Sequence, residues 1–283
     1  MQSKVSRAVS VVSVVVAALA AIASLAGLVI PTIYRDQSEW MRATLLGNDF
    51  VTLLIAVPLL IAAFVRTRQG SRRAELAFLA ALGYMIYNYS FYLFGASLNP
   101  VLPVYAVVLV LSAYALMTSL YRIDIAEVVA DFTPSWRETA VAGFMIVAGA
   151  GLLLAWITQW AGILFIAMNP VIGETGVQLS AASDFTFLVP LLLFGGFLLW
   201  KRREWAYVVA PLVTIPATMI VASRALDSTI MAMHGMRGGL AFPIWGACSV
   251  VGLVAIVLLF GEIAPFKPQP KAPEADAGAA VAA

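Results

Sequence analysis

Two aspartates, Asp49 and Asp184, stand at the start of long apolar runs, and each is followed by a phenylalanine. A carboxylate inside a membrane-spanning run is costly to bury, so it commonly binds a cation, binds an amine or carries a proton. At the first turn of a helix, a carboxylate instead caps free N–H groups and stabilises the helix dipole. Capping is the simpler interpretation, but Asn48 and Ser183 are alternative caps, so ligand binding stays open.

A second set of polar side chains lies in one apolar run, at spacings of three and four: Tyr84, Tyr87, Asn88, Phe91 and Gly95. These spacings place the five residues on one face of a helix. An amide and two phenols need partners in hydrocarbon, so this face should be turned toward protein or a water-filled cavity. Hydrogen bonding between helices is the preferred interpretation, and a substrate pocket oriented by Asn88 is the alternative.

A third set consists of Arg224, Asp227 and His234. Arg224 and Asp227 are three residues apart and can pair on one helix face. His234 is the only histidine, so the sequence gives no support for a zinc site, and we predict neither a metal nor a cofactor. Nucleotide-binding glycine motifs and an HExxH motif are absent from the sequence, and no residue is predicted to be catalytic.

The composition determines what kind of protein holds these groups. Hydrophobic residues make up 62% of the chain and charged residues 11%, whereas soluble domains carry about a quarter charged residues. The apolar residues fall in runs of about the length that crosses a bilayer. The net charge of +2 is spread over short clusters, so nucleic acid is not an expected partner.

The runs predict an all-α, polytopic bundle of eight transmembrane helices. Their approximate bounds are 8–33, 45–65, 76–96, 101–121, 139–160, 185–200, 207–225 and 240–263. The sixth run is the shortest, and a start near Ser180 is the alternative. We expect residues 1–263 to form one transmembrane domain and residues 264–283, which are rich in Pro and Ala, to form a disordered cytoplasmic tail.

The distribution of Lys and Arg predicts that both termini are cytoplasmic, in a multi-pass protein of the plasma membrane. This orientation puts the basic clusters 66–73 and 201–203 inside. The same clusters are candidate contacts for anionic lipid headgroups, unless they serve only to fix the topology. Four arginines are left outside: Arg35, Arg42, Arg224 and Arg237.

The two aspartate-containing runs also predict a weak internal repeat. Asn48-Asp49-Phe50 and Ser183-Asp184-Phe185 both precede a run that contains a proline, Pro58 or Pro190, and that ends in basic residues. A duplication of four plus four helices with the same orientation in the membrane would produce this pattern. The alternative is that any helix entering from outside begins with a cap and ends in basic residues.

The Tyr/Asn segment of residues 84–95, the two Asp-Phe pairs and the stretch from Lys201 to Tyr207 carry a resemblance. With these features, the chain resembles a group of uncharacterised prokaryotic multi-pass membrane proteins over residues 49–226. The resemblance implies a helical membrane fold and no particular activity. It also marks the Tyr/Asn helix and the aspartates as places to look for a site.

Three functions remain open. The first is a carrier for a small solute or ion, with a cavity in the outer half of the membrane; Asp49, Tyr84, Tyr87, Asn88, Asp184, Arg224 and Asp227 are the candidate binding residues. The second is a non-catalytic partner or sensor subunit. The third, and least favoured, is an outer-leaflet enzyme acting on lipid, for which Asp49, Asp184, Arg224, Asp227 and His234 are the candidate groups.

The predicted topology is testable with two fusions. A reporter fused after Arg73 should lie in the cytoplasm, and one fused after Asn99 should lie outside, because a single predicted helix separates them. Paired alkaline phosphatase and fluorescent protein fusions measure the two locations. If both reporters were found on the same side, the eight-helix assignment would be wrong.

Overall fold

Eight long helices make up the computed structural model, which describes residues 6–133, 135–170 and 172–263. All eight are long and apolar enough to cross a bilayer. They are α1 (Arg7–Val29), α2 (Glu39–Arg68), α3 (Arg72–Gly95), α4 (Leu102–Arg122), α5 (Trp136–Ile166), α6 (Gly173–Trp200), α7 (Ala206–Met233) and α8 (Phe242–Gly261). The all-α fold and the number of helices are confirmed, and the bundle is of the kind that integral membrane proteins adopt.

The helices associate as two groups of four. In α1–α4, the first and third helices each pack against both the second and the fourth. The same pairings occur in α5–α8. The two groups meet where α7 packs on α2 and α3 and where α3 packs on α6.

Helices α3 and α7 form the centre of the bundle. In their most apolar windows, 78% and 72% of the residues are buried, against 17% to 44% for the other six helices. The six outer helices present large apolar side chains at the surface, such as Leu54, Val147 and Val250, each more than 60% exposed. An apolar surface of this kind is suited to lipid and not to water.

Helices α2 and α6 share an irregularity. Each contains a five-residue π-helical segment, Thr52–Ala56 in α2 and Asp184–Leu188 in α6. The sequence Val-Pro-Leu-Leu follows both segments directly, with its prolines at Pro58 and Pro190. A proline inside a helix lacks an N–H and clashes with the carbonyl four residues earlier, and the wider π turn relieves this crowding.

Four of the predicted helix boundaries are wrong by six residues or more. Helix α5 continues through apolar residues to Ile166 and not to residue 160. The other three helices continue through polar segments: α2 begins at Glu39 and not near residue 45, α6 begins at Gly173 and neither at residue 185 nor near Ser180, and α7 continues to Met233 and not to residue 225. These extensions contain polar residues that lower local hydropathy. Helix packing buries several of them, including Thr44, Ser180 and Asp227.

One end of the bundle carries the α1–α2, α3–α4, α5–α6 and α7–α8 connections. We call it the chamber end, because a cavity opens there, and we call the other end the basic end. At the basic end, a short helix, Ile125–Ala130, forms within the α4–α5 connection. Arg72 pairs there with Glu75, Glu127 and Asp131, so this arginine is already paired with carboxylates.

The N-cap of α5 is Ser135, whose hydroxyl accepts a hydrogen bond from the Arg137 N–H. Pro134 and the predicted tail 264–283 lie outside the described residues.

The contact between α2 and α7 depends on Gly47. A Cβ atom at this position would lie 2.8 Å from the backbone carbonyl oxygen of Ser223, which cannot move aside as a flexible side chain would. Small residues permit such close helix approach in membranes. Gly47 therefore brings α2 close enough for Thr44 to reach Asp227.

We expect Gly47→Ala to destabilise the protein by about 1–3 kcal/mol, the usual range for overpacking. Gly143→Ala is the matched control, because nothing lies within 4 Å of a Cβ at Gly143 and alanine is the better helix former. The midpoint of thermal unfolding, followed by tryptophan fluorescence in detergent, measures both variants. Equal midpoints would contradict the role assigned to Gly47.

Candidate functional site

A cavity of about 570 Å³ opens within the second group of helices at the chamber end. Its walls come mainly from α5, α6, α7 and α8, with Tyr87 from α3 and Trp40 from α2. This volume lies within the range of roughly 300 to 1,000 Å³ that small-molecule sites occupy. We call it the chamber. Its polar lining residues are Tyr87, Gln159, Ser180, Asp184, Arg224, Asp227 and Ser228.

Asp184 lies on the chamber wall as the first residue of the π segment of α6. Its two carboxylate oxygens have different donors. The Tyr87 hydroxyl donates to Oδ1 at 2.7 Å, and the Trp156 indole Nε1 donates to Oδ2 at 2.8 Å. Both donors are uncharged, so they orient the carboxylate without neutralising it.

The predicted pairing of Arg224 with Asp227 is confirmed. Arg224 Nη1 lies 3.2 Å from Asp227 Oδ2, and Thr44 Oγ1 donates to the same carboxylate oxygen at 3.2 Å. The guanidinium carbon of Arg224 also lies 5.5 Å from the centre of the Phe91 ring, a cation–π distance. The two residues therefore form an ion pair. The side chain of Arg224 is 17% exposed and that of Asp227 is 4% exposed.

The polar face of α3 serves both groups of helices. Tyr84 and Asn88 hydrogen-bond to Thr52 Oγ1 of α2, at 3.0 and 3.1 Å. Neither residue lines the chamber, and Tyr87 is the member of this face that does. The preferred interpretation, hydrogen bonding between helices, therefore holds for Tyr84 and Asn88.

Asp49 is enclosed in a separate cluster of tyrosines in the first group of helices. Tyr34 donates to Oδ2 at 2.7 Å and Tyr92 to Oδ1 at 2.9 Å, while the Tyr105 hydroxyl lies 3.5 Å from that of Tyr34. Tyr34 lies in the α1–α2 connection, where burial raises the pKa of its phenol well above the usual value, so it stays protonated and can donate. Asp49 is 1% exposed and is not on the chamber lining.

The capping interpretation of the two aspartates is wrong. Ser38 caps α2, accepting a hydrogen bond from the Met41 N–H, and α6 begins at Gly173, so both carboxylates lie inside their helices. The N–H groups that follow each aspartate therefore bond to carbonyl groups of the preceding helical residues and need no cap.

Sequence reasoning missed several site residues, chiefly Tyr34, Trp156 and Ser180. A signal for Trp156 was present: Gln159, an amide in an otherwise apolar run, stands three residues later and lines the same chamber. Tyr34 carries no comparable signal, because it stands in a connection between helices and only the folded chain brings it to Asp49.

His234 stands apart from this site. Its ring is exposed, its Nδ1 lies 2.8 Å from the Ile230 carbonyl oxygen, and it does not line the chamber. Within the part of the chain that the structure describes, no group of three or more His, Cys, Asp or Glu residues could hold a metal ion. The chamber thus combines a carboxylate whose hydrogen-bond donors are neutral, an ion pair and largely apolar walls, an arrangement suited to binding a small organic molecule.

The ion pair is testable by a double-mutant cycle. Asp227→Asn leaves the Arg224 guanidinium buried without its carboxylate, and we expect it to cost on the order of 3 kcal/mol of unfolding free energy. The double variant Arg224→Met with Asp227→Asn should recover part of that loss, because it removes both charges. Asp36→Asn is the control, since Asp36 is 69% exposed in its own arginine pair. The cycle also needs the single variant Arg224→Met. If the loss of unfolding free energy in the double variant equalled the sum of the losses in the two single variants, the coupling between Arg224 and Asp227 would be contradicted.

The chain matches no protein-family model, no curated protein and no solved structure. The resemblance to prokaryotic multi-pass proteins therefore stays a prediction, and the functional argument rests on the geometry of the chamber.

Proposed function

We propose that this protein is a multi-pass carrier of the plasma membrane that binds a small organic solute in the chamber. The observation that carries the proposal is the convergence of Asp184, Arg224 and Asp227 on one cavity of about 570 Å³ with apolar walls. Ionisable groups inside membrane-spanning segments are expensive and commonly mark a ligand pathway. The positive-inside rule assigns the chamber end to the outside, so the solute would enter from there.

The contrast between the two carboxylates supports this assignment. Two phenol hydroxyls and their rings close around Asp49, which leaves 1% of that residue exposed. Asp184 also receives two neutral donors, yet it borders the chamber. The first group of helices therefore serves as the packed half, and the second group holds the solute.

The proposal includes the four-plus-four parallel repeat. Its support is the matching set of helix pairings in the two groups, together with a π segment followed by Val-Pro-Leu-Leu in both α2 and α6. Parallel repeats related by an axis along the membrane normal occur in several transporter folds, whose sites lie at the interface between the repeats. Tyr87 and Trp40 of the first group complete the wall of the chamber in the second group, which places the chamber against that interface. Alternating access would then move one group of helices against the other.

The two alternative functions differ in what they require of the chamber. A sensor subunit would bind the solute and not release it on the other side. A lipid-modifying enzyme has less support, because His234 and Asp49 do not join Asp184, Arg224 and Asp227 on the chamber lining. Geometry among the reacting groups is what a catalytic assignment requires.

Uptake into proteoliposomes tests the carrier. The purified protein should accumulate at least one solute from a radiolabelled metabolite panel, and Asp184→Asn should reduce that uptake at least tenfold. Ala155→Phe should also block it, because Ala155 lines the chamber. Unchanged uptake of every solute by both variants would contradict the carrier, and binding without uptake would favour the sensor.

The controls match each variant. Ala247→Phe makes the same substitution on an exposed face of α8 outside the chamber. Asp49→Asn makes the same carboxylate-to-amide change in the closed cluster of the first group, and we expect it to retain most of the uptake once its elution profile shows a folded protein. Equal losses for Asp49→Asn and Asp184→Asn would show that the effect is not specific to the chamber.

A further inference from the structure

We propose that the chamber takes an organic cation, an amine with an apolar body, whose ammonium group lies between Asp184 and Ser180. This inference rests on the proposed function and names the chemical class of its solute. It follows from the charges, the unused hydrogen-bonding atoms and the walls of the chamber.

The charges lining the chamber do not cancel. Among its described lining residues are one cation, Arg224, and two carboxylates, Asp184 and Asp227. Arg224 pairs directly with Asp227 and acts on Asp184 only from a longer distance, while the hydrogen bonds that Asp184 receives come from two neutral donors, Tyr87 and Trp156. One guanidinium is thus shared by two carboxylates. A buried charge in a membrane needs compensation, and a ligand of charge +1 would supply it.

Ser180 supplies a second polar atom for the same ligand group. It lies four residues before Asp184, one helical turn away on the same face of α6, and it also lines the chamber. Its side chain is buried, at 4% exposure, and within the described residues its Oγ has no hydrogen-bond partner. Buried hydroxyls are almost always paired, so an unpaired one on a cavity wall indicates a missing ligand or water.

An anionic ligand fits this wall less well. Asp184 would repel it, and the Arg224 guanidinium that could attract it already contacts Asp227 and Thr44 through Nη1. An ammonium donates hydrogen bonds and has no acceptor, so it complements a carboxylate that keeps free lone pairs and a serine oxygen that has no partner.

The remaining walls suit an apolar body. Three tryptophans line the chamber, namely Trp40, Trp156 and Trp245, and their ring faces attract cations. Two wall residues, Leu240 just before α8 and Ile244 in its first turn, are 84% and 64% exposed, so the chamber opens beside an apolar surface. A lipophilic amine that partitions into the bilayer could therefore reach Asp184 along this side.

Calorimetric titration of the purified protein in detergent tests the inference with four probes that share a phenethyl body. They are phenethylammonium, phenethyltrimethylammonium, 2-phenylethanol and 3-phenylpropionate. We expect the two cations to bind at least tenfold more tightly than the alcohol and the carboxylate. Asp184→Asn should weaken the binding of both cations at least tenfold, while Ala247→Phe should leave it unchanged.

Ser180→Ala separates a direct contact from a general electrostatic effect. It should weaken phenethylammonium severalfold and leave phenethyltrimethylammonium unchanged, because the second probe has no N–H to donate. Equal losses for the two cations, or none for either, would contradict the place assigned to Ser180. The midpoint of thermal unfolding without probe shows that each variant is folded.

The outcomes also separate this inference from the carrier proposal. If the carboxylate or the alcohol binds best, and Ala155→Phe abolishes that binding, the chamber is a solute site and the amine assignment is wrong. Cation binding that survives Asp184→Asn also overturns the assignment, as does the absence of binding heat with all four probes. Cation binding without uptake would contradict the carrier and leave the amine site standing.

Discussion

A carboxylate in the core of this bundle must receive hydrogen bonds from neighbouring helices, because lipid offers none. Asp49 and Asp184 meet this requirement through side chains of one helix, α3, which supplies Tyr92 to the first and Tyr87 to the second. Helix α3 belongs to the first group and packs on α6 and α7 of the second, and from this position it supplies a hydrogen-bond donor to an aspartate in each group. An α3 moved toward either group would leave one aspartate with a donor missing, at a cost of a few kcal/mol.

The same helix explains why one half is closed and the other is open. The rings of Tyr89 and Tyr92 pack with Tyr105 of α4, with centroids 4.9 to 5.9 Å apart, and they fill the space beside Asp49. In the second half, the tryptophans and the Arg224–Asp227 pair line the space and do not fill it. Two groups of helices with the same pairings thus differ in side-chain volume, and a cavity is left in the second group where the first is filled.

Much of the fold was predictable, because a helix needs about 20 apolar residues to cross the hydrocarbon core of a bilayer, and runs of that length are visible in the sequence. The helix count and the Arg224–Asp227 pairing needed only run length and a spacing of three. The boundaries of α2 and α6 were not predictable in this way, since Thr44 and Ser180 are polar and are buried by other helices. The stronger repeat signal, Val57-Pro58-Leu59-Leu60 against Val189-Pro190-Leu191-Leu192, was visible in the sequence. Its π segments, however, were visible only in the folded chain.

The alignment of α2 with α6 set by the aspartates and the one set by the prolines differ by three residues, which is close to a helical turn. The wide turns before Pro58 and Pro190 each hold more residues than an α turn, so the helix is locally unwound there. If such a wide turn migrated by one residue, the residue that it passed would rotate by about 100° about the helix axis. In α6 that rotation would swing Asp184 off the Tyr87 hydroxyl and away from the chamber wall, with no change in the length of the bundle.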